Sequence, residues 1–329
     1  NIFMHYFSTL DDAWGRRAYP FVREVADFWE ADLVWEDGRY SVVGDSLHEE
    51  YYRAEGEKNN THALGLVSML MRGILQMSRE LGLDEDRREK WAHILAHLAA
   101  FPVFERNGKM VFRFNEDSYP WRDRSNGSSI KLIYPFNCIG LESEPSLLEI
   151  ARNTVEQKDL FDNGNAFCEY TVMCARVGRD PRLLYDKLLW QCGLRAMPNK
   201  YIWHGGGGIE DCSGVTSGIN EMMLQSHEGI LRIFPVWPSG IDASFKNLRA
   251  YGAFTVSASI TRDRIGFVQI ESEKGRGLTL DLPWEKARVT VNGRAYGTVS
   301  GKRAVFSTQA GDVWRFTDSA QAEGEEKGV

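Results

Sequence analysis

The feature that most constrains this chain is a change of hydrophobic period near Gly229. From Asp11 to about Leu224 the apolar residues recur at helical spacing, beginning with Tyr19, Val22, Val25, Ala26, Phe28, Trp29 and Leu33. Further helices are expected over residues 60–82, closed by Gly82, and over 84–100. Others are expected at 145–157 behind Pro145, at 165–177, at 180–192 behind Asp180-Pro181, and at 214–226. Between them lie extended or Gly-rich stretches at 37–50, 107–139 and 201–212. Antiparallel helix pairs joined at one end by long loops fit an α/α toroid whose loops line a central pocket. After Gly229 the runs become short and β-like, at 231–236, 247–260, 265–272, 278–282, 287–291, 294–299 and 313–316. Asn292-Gly293 between two alternating runs signals a two-residue hairpin. The expected organisation is mainly α with a β appendage: a helical domain over 1–229, an antiparallel β-sandwich over 230–318, and a polar, disordered tail over 319–329.

Composition closes off several function classes. Hydrophobic residues make up 43% of the 329 and charged residues 26%, which is ordinary for a globular protein. No apolar run reaches the ~18 residues of a membrane span. The net charge is −7, and 39 basic residues are scattered among 46 acids, so no nucleic-acid-binding surface is expected. Cys138, Cys168, Cys174, Cys192 and Cys212 form an odd set with no C-x-x-C pair, which argues against a disulfide framework or a cysteine metal site. They read as mostly buried thiols. The start, Asn1-Ile-Phe-Met-His-Tyr-Phe, lacks the basic and apolar regions of a signal peptide and opens in mid-pattern. The reading is therefore of a chain whose N-terminal part is missing, and its compartment is unknown.

Two acidic constellations carry chemistry. In Trp203-His204-Gly205-Gly206-Gly207-Gly208-Ile209-Glu210-Asp211-Cys212-Ser213-Gly214, four glycines allow close approach of backbone to ligand and two acids follow, directly before a helix. A phosphate loop is excluded because no G-K-[ST] follows and the acids would repel phosphate. An acidic first turn favoured by the helix dipole is the plain alternative. Trp203 and His204 tilt the balance toward a sugar site. In Gly44-Asp45-Ser46-Leu47-His48-Glu49-Glu50-Tyr51-Tyr52, acids, a histidine and two tyrosines crowd one loop, which suits protonation of a leaving group and stacking of sugar faces on rings, or simply a solvated loop. Asn59-Asn60-Thr61-His62 precedes a helix, where capping is the favoured role. His93 and His97, at i and i+4, have no third ligand nearby and read as ordinary helix histidines, so no metal and no cofactor are expected. Asp162-Asn163-Gly164-Asn165 lacks the spacing of a calcium loop and reads as a turn feeding a helix.

The run Gly218-Ile219-Asn220-Glu221-Met222-Met223-Leu224-Gln225-Ser226-His227-Glu228-Gly229, continuing to Pro235 and Pro238, resembles the end of the catalytic barrel in glycoside hydrolase family 95. That family includes α-L-fucosidases and α-L-galactosidases, and its pattern there reads I-D-G-N-F-G-x-T-x-G-I-x-E-M-L-L-Q-S-H-E-G. Tyr19-Pro20 through Trp29 resembles the family's A-Y-P helix, and Leu248-Arg249-Ala250 with Gly252 its entry to the C-terminal β-domain. Laid on without gaps, the resemblance places the general base at Glu210, with Asp211 as second candidate. The family's acid-bearing S-P-S-x-S-P-E loop falls on residues 44–50, where both prolines are missing; laid on without gaps it implies Glu50 as general acid, whereas the His48-Glu49 pair favours Glu49, which is taken first with Glu50 close behind. Trp203, His204, His48, Asn60, His62 and His227 are the candidates to contact the sugar.

The resemblance implies an (α/α)6 barrel of twelve helices, of which about seven are visible. The water-polarising Asn pair and the His-His segment of the family lie upstream of Asn1, so a missing N-terminal segment of the same polypeptide is expected to complete the barrel. The family's Asp before its next helix is replaced in Asn59-Asn60. The function expected is an inverting, exo-acting α-glycosidase on a carbohydrate substrate, its two carboxyl groups about 6.5–9.5 Å apart. The alternatives are a polysaccharide lyase, drawing its base and neutraliser from Tyr51, His48, His62 and Asn60, or a non-catalytic carbohydrate-binding protein.

Overall fold

A computed structural model of the chain describes residues 1–45, 57–117, 121, 127–163, 167–202 and 209–320, without the side chains of 167–168 and 209–211. Its helices are α1 (Ile2–Thr9), α2 (Asp12–Asp32), α3 (Thr61–Leu81), α4 (Arg88–His97), α5 (Pro145–Lys158), α6 (Phe167–Arg176), α7 (Pro181–Arg195) and α8 (Ile209–Met223). Its strands are β1 (Val34–Glu36), β2 (Arg39–Ser41), β3 (Val103–Arg106), β4 (Lys109–Phe112), β5 (Leu224–Gln225), β6 (Arg232–Ile233) and β7 (Ala243–Ala250). They continue as β8 (Phe254–Thr261), β9 (Arg264–Ser272), β10 (Gly277–Asp281), β11 (Lys286–Val291), β12 (Arg294–Ser300), β13 (Arg303–Ser307) and β14 (Asp312–Asp318). The fold is mainly α followed by antiparallel β, as the change of period requires. Among the described residues no helix is long and apolar enough to cross a membrane.

The chain divides into two compact units. One holds residues 12–179 and 186–218, the other 1–11, 180–185 and 219–329, so the division falls inside α7 and α8.

In the helical unit α3 is the central element. It begins behind Asn60 and stops at Gly82, which takes the left-handed conformation (φ +64°) that ends helices at little steric cost. Leu64, Val67, Met71, Ile74 and Met77 on α3 are fully buried, each contributing roughly 1.5–3 kcal/mol of apolar burial. Helices α2 and α4 pack on it. Arg87, just before α4, holds Asp27 and Glu30 of α2 at 2.6 and 2.8 Å. The fully buried Trp91 donates its indole N–H to Glu30 at 2.6 Å. At Gly65 the segment 127–138 comes so close that a Cβ would lie 2.6 Å from the Phe136 ring and 2.7 Å from Leu132.

Two hairpins interrupt this unit. At Asp37-Gly38 and Asn107-Gly108 both residues have positive φ, and the pairs Glu36↔Arg39 and Arg106↔Lys109 close two-residue loops.

In the second unit a six-stranded antiparallel sheet runs in the order β12-β11-β14-β9-β8-β7. A β10–β13 ribbon shares its core: Leu278, Leu280 and Phe306 join Val256, Val268, Ile270, Val289, Trp314 and Phe316. Both edge strands are irregular. Pairing of β7 with β8 slips between Phe245 and Leu248, where Asn247 has φ +56°, and that of β11 with β12 slips between Val289 and Thr290, opposite Gly297 at φ +147°. The single run expected over 247–260 is two strands, because Tyr251, Gly252 and Ala253 turn the chain. Helix α1, unforeseen from the sequence, belongs here: the Gly252 N–H donates to the Phe7 carbonyl at 2.8 Å and the rings of Phe7 and Tyr251 lie 6.1 Å apart. Residues 321–329 of the expected tail lie outside the described residues.

Candidate active site

The acidic stretch after β2 is held at its two ends. Val43 pairs with Lys58, and the Gly44 N–H donates to the Glu57 carbonyl at 2.7 Å. His48, Glu49 and Glu50, between these ends, lie outside the described residues. What is described is the frame they hang from, and its centre is Asn59. This buried residue adopts left-handed φ (+53°), which Asn tolerates better than most residues. Its N–H donates to the Val42 carbonyl (2.8 Å) and its side-chain oxygen accepts the Val42 N–H (3.0 Å). One residue thus satisfies both backbone groups of another. The Asn59 amide nitrogen donates to Glu116 at 2.5 Å, and Arg39 grips the same carboxylate with contacts of 2.9 and 3.2 Å. Burial pushes the Glu116 carboxyl up, but the hydrogen bonds from Asn59 and Arg39 prevail and hold it below the usual carboxylate range. Lys58 and Glu36 pair alongside at 2.7 Å.

Asn60 is the N-cap of α3: its side-chain oxygen accepts the Ala63 N–H at 2.7 Å. Its amide nitrogen, on the other side, donates to Asp45 at 3.3 Å. Asn60 therefore ties the acidic stretch to the start of the central helix. His62, in the first turn of α3, meets the Phe136 ring edge-to-face at 4.9 Å.

The segment carrying Phe136 also reaches α6. The Phe136 N–H donates to the Lys131 carbonyl at 3.1 Å, and Lys131 pairs with Glu169, in the first turn of α6, at 3.5 Å. Burial raises the Glu169 carboxyl above its ordinary range against the pull of Lys131. Neither Glu116 nor Glu169 was singled out from the sequence. Both stand among unremarkable neighbours, and what marks them is partners 38 or more positions away.

Around the second acidic constellation the helix starts earlier than expected. It begins at Ile209, directly after the four glycines, so the backbone of Glu210 and Asp211 lies in the first turn of α8, where acids are favoured by the dipole. Their side chains, and all of Trp203 and His204, lie outside the described residues. The approach is fixed by an Ala196–Ile202 bridge and by the Ile202 N–H, which donates to Cys212 Sγ at 3.2 Å. Farther along α8, Gly218 brings the helix within 3.0 Å of Thr171 on α6, measured from where a Cβ would stand.

His227 belongs to the other unit, in a chain of charges. It lies 3.4 Å from Glu221 and 3.9 Å from Glu228, with its side chain 3% exposed. Glu228 pairs with Arg232 at 2.7 Å, Arg232 with Asp281 at 3.3 Å, and Asp281 with Arg303 at 2.6 Å. Of the four described thiols only Cys174 is fully buried, which pushes it up to about 12, while Cys138, Cys192 and Cys212 are partly exposed. Among the described residues no group of three or more His, Cys, Asp or Glu side chains is placed to hold a metal ion.

The described residues thus form an α/α unit whose helix starts at α3 and α8 receive the two acidic stretches, followed by an antiparallel β unit. Residues 1–223 match the glycosyl hydrolase family 95 catalytic domain, and the chain belongs to that family, the one its sequence resembles. No curated protein matches the chain. Among solved structures it is similar to an α-L-rhamnosidase from Streptomyces avermitilis complexed with L-rhamnose, at 14% identity and TM-score 0.47, over 95% of this chain and 31% of that one. It is also similar to a human-microbiome protein assigned as a kojibiose phosphorylase, at 11% identity and TM-score 0.46, over 93% of this chain and 43% of that one. The chain thus spans less than half the length of either structure.

Proposed function

We propose that this chain is part of an inverting, exo-acting α-glycosidase for fucose- or galactose-like sugars of oligo- or polysaccharides. In this reading Glu49 is the general acid that protonates the leaving oxygen, with Glu50 as its alternate. Glu210 is the base that takes a proton from the attacking water, with Asp211 as its alternate. Trp203, His204, His48, Asn60 and His62 line the sugar.

The observation that carries the reading is the anchoring of both acidic stretches at helix starts of one unit. One is tied to α3 through Asn60 and Asp45, and the other ends in the first turn of α8. Inversion requires a water between base and anomeric carbon, hence a carboxyl separation of about 6.5–9.5 Å.

The reading includes further helices of the same polypeptide that complete the barrel. Phe21 and Phe28, seven positions apart on α2, are 64% and 57% exposed, and Leu189, Trp190 and Leu194 form a second exposed apolar stripe on α7. Faces of this kind are ordinarily covered by another helix.

The test is the anomeric form of the first product. With full-length enzyme and an aryl α-fucoside or α-galactoside, NMR in the first minutes is expected to show the β-sugar. Release of the α-sugar would overturn inversion, and an unsaturated, ultraviolet-absorbing end from a uronate polymer would point to a lyase instead.

A further inference from the structure

The hairpin β1–β2, which leads into the first acidic stretch, presents an indole that is braced yet open. Trp35 stands opposite Tyr40 across the Asp37-Gly38 turn, their rings edge-to-face at 4.7 Å. The His93 ring lies 5.4 Å and the His97 ring 5.7 Å from the same indole. These histidines are one turn apart on α4 and stack on each other at 4.1 Å. Tyr40 is itself buried and held: its hydroxyl accepts from Lys90 at 3.1 Å and bonds the His93 Nδ1 at 3.2 Å, while its carbonyl accepts the Ala99 N–H. Three rings thus fix the indole, and half of Trp35 remains open to solvent (50%).

We propose that Trp35, flanked by His93 and His97, is an auxiliary binding platform for a pyranose ring of a carbohydrate chain. The proposal rests on the glycosidase reading for the nature of its ligand, and on the local chemistry for its place.

A pyranose is amphipathic, with a C–H face that packs on an aromatic ring and hydroxyls at its rim. The ligand it wants is an indole bordered by hydrogen-bonding groups. The His97 Nδ1 lies 2.9 Å from the His93 carbonyl, which can only accept, so Nδ1 carries the hydrogen and Nε2 of the neutral ring carries the lone pair. His97 is exposed and its ring lies 5.7 Å from the indole, so this lone pair is offered as an acceptor for a sugar hydroxyl. Because the indole is already fixed, little side-chain freedom remains to be lost on binding.

A two-histidine metal site is the competing use of His93 and His97, and it lacks the third ligand that a stable site requires.

The test uses full-length enzyme in affinity gel electrophoresis, with soluble xyloglucan or arabinogalactan cast into the gel, run both with and without EDTA. Wild type is expected to be retarded by at least one polymer. Trp35→Ala should weaken that retardation roughly 3- to 10-fold, the scale of one ring contact, and Trp35→Phe should restore part of it. Turnover of a small aryl α-glycoside, which fills only the catalytic site, should stay within about twofold of wild type in both variants. Equal retardation of Trp35→Ala and wild type, with Trp35→Phe also unchanged, would overturn the proposal. So would absence of wild-type retardation by both polymers, or retardation that EDTA removes. Failure of wild type to cleave any aryl glycoside would instead count against the glycosidase reading, because the gel shift does not depend on turnover.

Discussion

The backbone N–H of Gly44 meets the carbonyl of Glu57 at 2.7 Å, so the two described residues that bracket the first acidic stretch are joined directly. The role proposed for Glu49 depends on that junction being rigid. Asn59, Glu116 and Arg39 are what make it so.

Glu116→Ala should loosen this frame. Both Arg39 and Glu116 side chains are partly solvated (36% each), so the expected cost is about 1 kcal/mol and not that of a buried pair. The pH sign follows from the lowered carboxyl: its contribution is present above the ordinary carboxylate range and fades as pH falls through the folded value. Thermal melts of wild type and variant should therefore differ at pH 7 and converge as the pH is lowered below the ordinary carboxylate range. A gap that widens on acidification would refute the assignment.

Asn60 has two separable roles, a cap and a tether. Asn60→Ala should lose roughly 1 kcal/mol of stability. Asn60→Ser keeps a capping oxygen for the Ala63 N–H but loses the donor to Asp45. It should melt close to wild type while kcat on an aryl α-glycoside falls. Full activity in Asn60→Ser would leave only the cap.

Gly65→Ala places a methyl where the Phe136 ring and Leu132, both buried, leave no room. Overpacking of about 1–3 kcal/mol should exceed the roughly 1 kcal/mol gained in helix propensity. A lower Tm is expected, and a higher one would mean that Phe136 moves freely off His62.

Glu210→Gln in the full-length enzyme should lower kcat by at least ~100-fold, the scale of lost general acid–base catalysis, with an unchanged melting curve. Near wild-type turnover in Glu210→Gln, together with loss in Asp211→Asn, would move the base to Asp211.

The helices were legible where a cap or a stop stood beside a periodic run, as at Asn60 and Gly82 or at Pro145. The β unit was legible through Asn292-Gly293, the turn chemistry that hairpins demand. The same dipeptide signal at Asp37-Gly38 and Asn107-Gly108 lies in stretches that read only as extended or Gly-rich, because three- or four-residue strands between long helices show no alternation to read. Helix α1 escaped notice since its only stop, Leu10 in the left-handed conformation, is a residue that seldom ends helices. At the site, motif spacing reached Asn60 and the acids of α8. It did not reach Glu116 or Glu169, whose partners are brought to them by tertiary packing alone.

The slipped registers at Asn247 and opposite Gly297 fall on the two outermost strands of the six-stranded sheet. A neighbouring molecule seeking to extend that sheet would find, on either side, a kinked row of amides out of step with its own. The irregularities thus act as end-stops, and crowded solutions of this protein should resist the ribbon-like self-association to which long, flat borders are prone.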